Sequence, residues 1–301
     1  MKKKKVLILG ASGMLGVEVL REFSKKNILL YATIRSQKEI KRIQTYFDYK
    51  IKNIKFIKFE IKKNYINNLK KVIKDKDYII NCIGIIKPYI NENSFTSIEN
   101  AINVNSNFPH ILNFNKNKNC KVYQIATDCV FDGFNGKYTE DHSHTARDIY
   151  GKTKSLGEVK DKNFFNIRCS IIGKEIKSFK SLICWFTNQK KNSTIYGFSN
   201  HNWNGITTRH FAKIVSTLVL KNISIPNLIH IVPQDILNKY QLLKIFQKKF
   251  NRGDLKIKKS KSNVAIDRTL STKYYKINKI IHSIMKYKNL PKIKKLVEEI
   301  I

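Results

Sequence analysis

Residues 5–16 read KVLILGASGMLG, and the expected fold follows from them. Val6, Leu7, Ile8 and Leu9 form an unbroken apolar run, the pattern of a strand covered on both faces. The run ends in spaced glycines, Gly10, Gly13 and Gly16, and an amphipathic stretch begins at Met14. Strand, glycine turn and helix in that order start a βαβ unit. Glycine lets the backbone turn tightly and approach a pyrophosphate, which then faces a helix N-terminus. Gly10, Ser12, Gly13, Met14, Leu15 and Gly16 are therefore the expected dinucleotide-binding residues. The lysines at 2–5 followed by apolar residues imitate an export signal. The glycines, Glu18 and Arg21 break that pattern, and a buried strand is expected instead.

Short apolar runs recur beyond this unit, at 28–34, 54–59, 78–82, 121–126 and 164–168. Amphipathic stretches at 14–24, 38–46, 66–73, 105–114 and 149–159 fill the intervals. Such alternation predicts an α/β fold: a Rossmann-type doubly wound parallel sheet with helices on both faces. After Arg168 the rhythm loosens, with helices expected at 182–188, 209–220 and 238–250 among loops. Residues 1–170 are read as an NAD(P)-binding Rossmann domain. Residues 171–301 are read as a smaller C-terminal substrate-binding lobe, some of whose elements return to the core. Residues 290–301 read as a surface helix.

The chain has 301 residues, 42% of them hydrophobic, enough for one large core. Its formal net charge is +36, but the lysines run through every segment instead of forming one basic arm. No recognisable nucleic-acid-binding module accompanies them, so no nucleic-acid partner is expected. A basic surface does attract a polyanionic substrate. The five cysteines lack C-x-x-C spacing and mostly sit in apolar runs, which suggests reduced thiols and a cytoplasmic protein. No run reaches the ~18 apolar residues of a membrane span.

The second strand ends YATIRSQ, residues 31–37, with no carboxylate to read a ribose 2′-hydroxyl. Arg35 stands where a 2′-phosphate would lie, which favours NADPH, with NADH as the alternative. The fourth strand ends NCIG, residues 81–84, and Cys82 and Gly84 are expected to lie against the cofactor.

A tyrosine four residues before a lysine occurs four times, at Tyr46, Tyr150, Tyr240 and Tyr275. In a chain this rich in lysine roughly two or three such pairs arise by chance. Position singles out Tyr150 and Lys154. They share one face of a helix that follows the fifth strand, whose carboxyl end carries Thr127 and Asp128. Reducing a carbonyl needs a hydride on carbon and a proton on oxygen. Tyrosine, with pKa about 10, supplies that proton at neutral pH once a cation such as Lys154 lowers it. Thr127 would hold the substrate oxygen.

The segments ATDCVFDG, GKYTED and IYGKTKSLGE together resemble the dTDP-4-dehydrorhamnose reductase family, extended short-chain dehydrogenase/reductases acting on nucleotide sugars. The resemblance runs from the glycine loop to about Gly173. It implies an NADPH-dependent reductase of a nucleotide-linked 4-keto-6-deoxy sugar, serving cell-surface polysaccharide synthesis. Thr127, Tyr150 and Lys154 would take the catalytic roles, and Tyr150 and Lys154 would also hold the cofactor. Asn105, in INVNSNFPHIL, would support the active site beside the cofactor. Asp128, Val130 and Phe131, and in the looser C-terminal part Trp203, Asn204 and Thr207, would line the substrate pocket. The sequence departs from the family at Cys129, where an aromatic residue is usual. Related 4,6-dehydratases place a glutamate after Thr-Asp, which is missing here. Epimerisation and a non-catalytic NADPH sensor or scaffold are the other readings, and a homodimer is admitted. The loop EDHSHTARD, residues 140–148, gathers carboxylates and histidines but reads as a solvated loop rather than a metal site; His201 and His210 read as structural or exposed.

Overall fold

The computed structural model describes residues 2–47, 53–177 and 179–300. Its first half repeats strand and helix: β1 (Lys5–Leu9), α1 (Met14–Phe23), β2 (Leu29–Ile34), α2 (Gln37–Tyr46), β3 (Ile54–Lys58), α3 (Ile66–Ile73), β4 (Tyr78–Asn81), α4 (Phe95–Ile102), α5 (Phe108–Asn115), β5 (Lys121–Ala126), α6 (Ile149–Leu156) and β6 (Phe164–Arg168). The expected α/β alternation is present, and the sequence pattern omitted only α4 in this half. The helix expected at 105–114 begins with a π-turn at Asn103–Asn107 before α5.

The second half contains β7 (Ile171–Ile172), α7 (Leu182–Thr187), β8 (Thr194–Phe198), β9 (His201–Trp203), β10 (Ile206–Thr207), α8 (Thr208–Lys221), β11 (Leu228–His230), β12 (Leu237–Asn238), α9 (Lys239–Lys249), β13 (Lys256–Ser260), β14 (Ile266–Asp267), α10 (Tyr275–Ile284) and α11 (Ile293–Glu298). The main sheet has seven strands in the order β11-β6-β5-β4-β1-β2-β3, and every neighbouring pair is parallel. Strand order reverses next to β1, so the carboxyl ends of β1 and β4 open the crevice where an α/β sheet binds ligands.

Apolar packing covers both faces. Val6 and Ile8 of β1 join α1 and α8 on one side, and Leu7 and Leu9 join α3 and α5 on the other. A separate cluster builds the smaller lobe around Phe186, Trp203, Leu242, Phe246 and Leu255. The segment after residue 171 thus divides its elements. α8, β11 and Ile281 of α10 complete the large core, while α7, α9 and α11 enclose the small one. The expected C-terminal surface helix is half right. The lysines of α11 face outward, but Ile293, Leu296 and Val297 are fully buried.

A row of three amide side chains crosses the apolar strands. Asn81, Gln124 and Asn166 are register neighbours on β4, β5 and β6 and are nearly fully buried. Asn81 Nδ2 donates to Gln124 Oε1 at 2.8 Å, and Gln124 Nε2 donates to Asn166 Oδ1 at 3.3 Å. The same Gln124 nitrogen reaches the Gly157 carbonyl at 2.8 Å, and Asn166 Nδ2 reaches that of Val159 at 2.8 Å. Buried amides need partners, and this row spends its donors on the end of α6. It thereby fixes the helix carrying Tyr150 and Lys154 over the sheet.

Candidate active site

The glycine loop turns away from β1 through Gly10, whose φ of +77° favours glycine. Gly10 N–H donates to Thr33 Oγ1 at 2.9 Å, tying the loop to β2. A Cβ at Gly16 would lie 2.0 Å from the Gly10 carbonyl oxygen, so α1 crosses the loop at a distance no side chain allows. Gly13 and Gly84 differ from these two. A Cβ on either would meet nothing nearer than 3.4 Å, which is ordinary contact. Packing does not require glycine at these two positions, and bare backbone there leaves room for a ligand lying across the ends of β1 and β4. That is the fit expected of a dinucleotide site. Ser12, Met14 and Leu15 complete the loop and the first turn of α1, and Cys82 lies beneath Gly10.

Thr127 follows β5, and its hydroxyl caps a short turn by accepting the Cys129 N–H at 3.2 Å. The same hydroxyl donates to Asp128 Oδ1 at 3.2 Å. Helix α6 starts at Asp148, whose carboxylate accepts the Gly151 N–H at 2.7 Å. A Cβ on Gly151 would lie 2.3 Å from the Cys129 carbonyl, so α6 sits directly on the Thr127 turn because residue 151 is glycine. At the other end, a Cβ on Gly157 would lie 1.9 Å from the Asn105 carbonyl. Asn105 sits in the π-turn, a distortion that often marks functional sites. Its Oδ1 accepts the Ile85 N–H at 2.9 Å, and its Nδ2 donates to the Ile85 carbonyl at 2.9 Å and to Thr153 Oγ1 at 3.3 Å. Asn105 therefore braces α6 against the loop after β4.

Thr127, Asp128, Tyr150 and Lys154 consequently meet at the carboxyl edge of the sheet. Burial, then the neighbouring Cys129, pushes the Tyr150 phenol well above its ordinary pKa, and a hydrogen bond with Thr127 pulls the other way. Lys154 does not supply the lowering that the sequence suggested. Its Nζ donates to the Ile125 carbonyl at 2.9 Å, and burial brings its own pKa down to about 8. Cys129 is held up at about 12, chiefly by burial, so it stays a thiol and is no nucleophile.

The buried lysine has a measurable consequence. Its folded-state pKa lies below the unfolded value, so below pH 8 both states are protonated and the whole penalty is present. Between about 8 and 10.5 the unfolded chain holds a proton that the fold has released, and stability rises with pH. Lys154→Met should raise stability at pH 7 by roughly 3 kcal/mol while abolishing turnover. Paired urea titrations of wild type and variant should show the difference shrinking from pH 8 upward. A destabilised variant at pH 7 would contradict the burial penalty.

Other expected site residues have different work. Val130 and Phe131 are completely buried, and Phe131 stacks on Tyr138 with ring centres 4.1 Å apart. The expectation that both touch substrate does not hold in this conformation, because their apolar surface is consumed beneath the loop. Trp203 is nearly buried, with Nε1 donating to Ser170 Oγ at 2.7 Å. Asn204 spends its amide on Leu270, accepting from the backbone N–H at 2.9 Å and donating to the carbonyl at 2.7 Å. Thr207 caps α8 through the His210 N–H at 3.2 Å. Of the three rival tyrosines, Tyr46 bonds Glu18 at 2.7 Å and its lysine at position 50 lies outside the described residues; Tyr240 and Tyr275 belong to α9 and α10.

The loop at residues 140–148 is held by protein partners. Glu140 accepts the His230 N–H at 2.8 Å and the Thr272 hydroxyl at 2.6 Å. His144 Nε2 accepts from Arg168 Nη2 at 2.7 Å. Arg168, with no exposed surface, also donates to both oxygens of Glu158 at 3.1 and 2.6 Å and to His230 Nε2 at 2.8 Å. His230 Nδ1 donates to the Ser271 carbonyl at 2.7 Å, so that ring is neutral and accepts from Arg168. Among the described residues no three His, Cys, Asp or Glu side chains cluster as a metal site. No described helix is long and apolar enough to cross a membrane.

Sequence reading missed Lys239 and Arg268. Lys239 lies over the Trp203 ring, 5.7 Å from its centre, and burial lowers its pKa against the opposing pull of Asp128 and Cys129. Arg268 Nε donates to the Phe131 carbonyl at 2.9 Å. Arg268 lies in the stretch IDRTLST, residues 266–272, and position alone did not say which way its side chain faced; no pattern in the sequence singled out Lys239.

A seven-stranded parallel sheet with a glycine loop at its crevice defines a Rossmann-type dinucleotide-binding fold. The family model described as RmlD substrate binding domain matches residues 4–266, and the chain belongs to that family. A dTDP-4-dehydrorhamnose reductase from Clostridium acetobutylicum is similar in structure at TM-score 0.68 and 18% identity, covering 98% of this chain and 97% of that one. The dTDP-4-dehydrorhamnose reductase from Bacillus anthracis, solved in complex with NADP, gives TM-score 0.70 at 16% identity over 99% and 98% of the chains. A UDP-N-acetylglucosamine 4-epimerase from Methanobrevibacter ruminantium gives 0.72 at 15% identity over 99% and 97%. At such identities the likeness is one of fold. No curated protein matches by sequence.

Proposed function

We propose that this protein is an NADPH-dependent reductase of a nucleotide-linked 4-keto-6-deoxy sugar, of the kind used in cell-surface polysaccharide synthesis. The observation that carries the reading is the seating of α6 on the Thr127 turn through Gly151, which brings Tyr150 into hydrogen-bonding reach of Thr127 at the ligand edge of the sheet. The glycine loop, with the bare backbone of Gly13 and Gly84, would hold the dinucleotide. When bound, that cofactor supplies the hydride. Thr127 then orients the C4 oxygen and Tyr150 gives it a proton. Lys154, held by the Ile125 carbonyl, stands one helical turn behind to fix the ribose. Lys239 and Arg268 place positive charge on the sugar side, where a nucleotide diphosphate needs it. The relative solved with NADP supports the choice of cofactor class.

The test is NADPH oxidation, followed by absorbance, with a panel of dTDP- and UDP-linked 4-keto-6-deoxy sugars. Turnover with one of them establishes the reductase and names the sugar. Failure across the panel with NADPH bound would reject the reductase reading in favour of an epimerase or a sensor.

A further inference from the structure

The smaller lobe carries a face that the proposed reaction does not use. Strands β8 and β13 pair in parallel, with Tyr196 beside Lys258 and Phe198 beside Ser260. One side of this two-stranded sheet is turned inward. Ile195 enters the small core and Ile257 packs against it. A Cβ on Gly197 would lie 2.5 Å from the Tyr240 Cα, so the sheet rests directly on α9. Side chains alternate along a strand, and the other set points away from that core. Tyr196 is 60% exposed there and Phe198 37%. The His201 ring lies 4.6 Å from that of Phe198, and its Nε2 is hydrogen-bonded with Ser262 Oγ at 2.7 Å. The aromatic surface thus continues past the end of β8.

Lysines frame the rings. Lys256 and Lys258 stand beside Thr194 and Tyr196 in register, Lys259 and Lys261 lie at the end of β13, and Lys190 and Lys191 precede β8; all are exposed. Asp254 is the only acidic residue in 188–201 and 252–263, and it is spent on Arg252 at 2.8 Å. The face therefore keeps its positive charge. In the linear sequence these aromatics stand far from the lysines of β13, which is why no such face was expected. Pairing of β8 with β13 brings them together.

Flat exposed rings among uncompensated cations suit one class of partner. Every nucleobase has a π-face that stacks on an aromatic ring whatever its identity, and phosphates seek the cations. Residues two apart on one strand face stand about 6.6 Å from each other, so neighbouring bases of an extended strand can each take a ring. A duplex hides those faces. A bilayer fits less well, because the aliphatic side chains of the two strands, Ile195 and Ile257, pack inward and leave no apolar wedge.

We propose that the outer face of β8 and β13 binds single-stranded nucleic acid, with Tyr196 and Phe198 stacking bases and Lys256 and Lys258 holding phosphates. The face lies outside the glycine loop and the Thr127 turn, so binding there does not depend on the reductase reading.

The test is fluorescence anisotropy of a labelled oligothymidylate of about 12 nucleotides, with a duplex of equal length and vesicles of phosphatidylserine and phosphatidylcholine as rivals, over a range of salt. Wild type should bind the single strand at least about fivefold more tightly than the duplex. Tyr196→Ala should weaken the single strand about fivefold or more, the loss of one stacked base, with an unchanged thermal melt. Lys258→Gln should lower the slope of log affinity against log salt by about 0.7, one phosphate contact of a single strand. Duplex bound as tightly as single strand, or Tyr196→Ala without effect, would reduce the face to unspecific attraction and overturn the assignment. Binding to the vesicles with none to the oligonucleotide would overturn it as well.

Discussion

Tyr150→Phe is expected to lower turnover by about 10²–10⁴-fold while NADPH binding is unchanged. The substitution removes one oxygen and keeps the ring that packs at the start of α6. It therefore separates proton delivery from folding. The phenol carries a perturbed pKa, raised by burial and by Cys129, and Thr127 is the hydrogen-bond partner that opposes the rise. The raised pKa leaves the phenol protonated but makes it a weaker acid than a free tyrosine, the opposite of the lowering that the sequence suggested. Phenylalanine leaves the C4 oxygen with Thr127 alone. Turnover by NADPH oxidation and binding by fluorescence are both needed. Retained turnover would remove Tyr150 from the proton transfer, and a loss confined to NADPH binding would leave it only the cofactor-holding role.

Arg168→Met is expected to destabilise the protein by about 3–5 kcal/mol, the usual result of breaking a buried ion pair from one side. The guanidinium has no exposed surface and binds Glu158, His144 and His230 together, with Phe131 packed against it at 5.2 Å. Removing it leaves the Glu158 carboxylate, 9% exposed, without its counter-charge. Glu158 follows α6 and His144 lies in the loop that leads to it, so the loss should also loosen the mounting of Tyr150. Urea titration at pH 7 measures the first effect. The double variant Arg168→Met, Glu158→Met should recover much of the loss, since no charge is then stranded. A single-variant loss below about 1 kcal/mol would mean that the network is not the keystone of this loop.

The chain's residues already carried a good part of this. Gly10, Gly13 and Gly16 after Val6–Leu9 stated strand, turn and helix because their meaning lies within one βαβ unit. The placement of Thr127, Tyr150 and Lys154 at one edge of the sheet was legible for the same reason, since strand end and helix face are local properties. Spacing could not separate Tyr150 from Tyr46, Tyr240 and Tyr275; position after the fifth strand did.

Partners distant in the chain were another matter. The loop at residues 140–148 looked solvated, yet Arg168 and His230, 62 residues apart, hold it from two adjacent strands. Glu39 went unread because the expected carboxylate was sought at the strand end, and a turn of α2 brings it back to Ser12. Phe131 looked like a pocket residue, and Tyr138 and Arg168 cover it entirely. The sequence by itself determined the alternation of strand and helix of a Rossmann-type fold, and it put Thr127, Tyr150 and Lys154 forward as candidates, because hydrophobic period and glycine placement act over a few residues. Only the tertiary structure decided which charges are paired, which are left facing the crevice, and how Lys154 titrates. Those depend on desolvation and on side chains brought together by packing, and no local pattern encodes either.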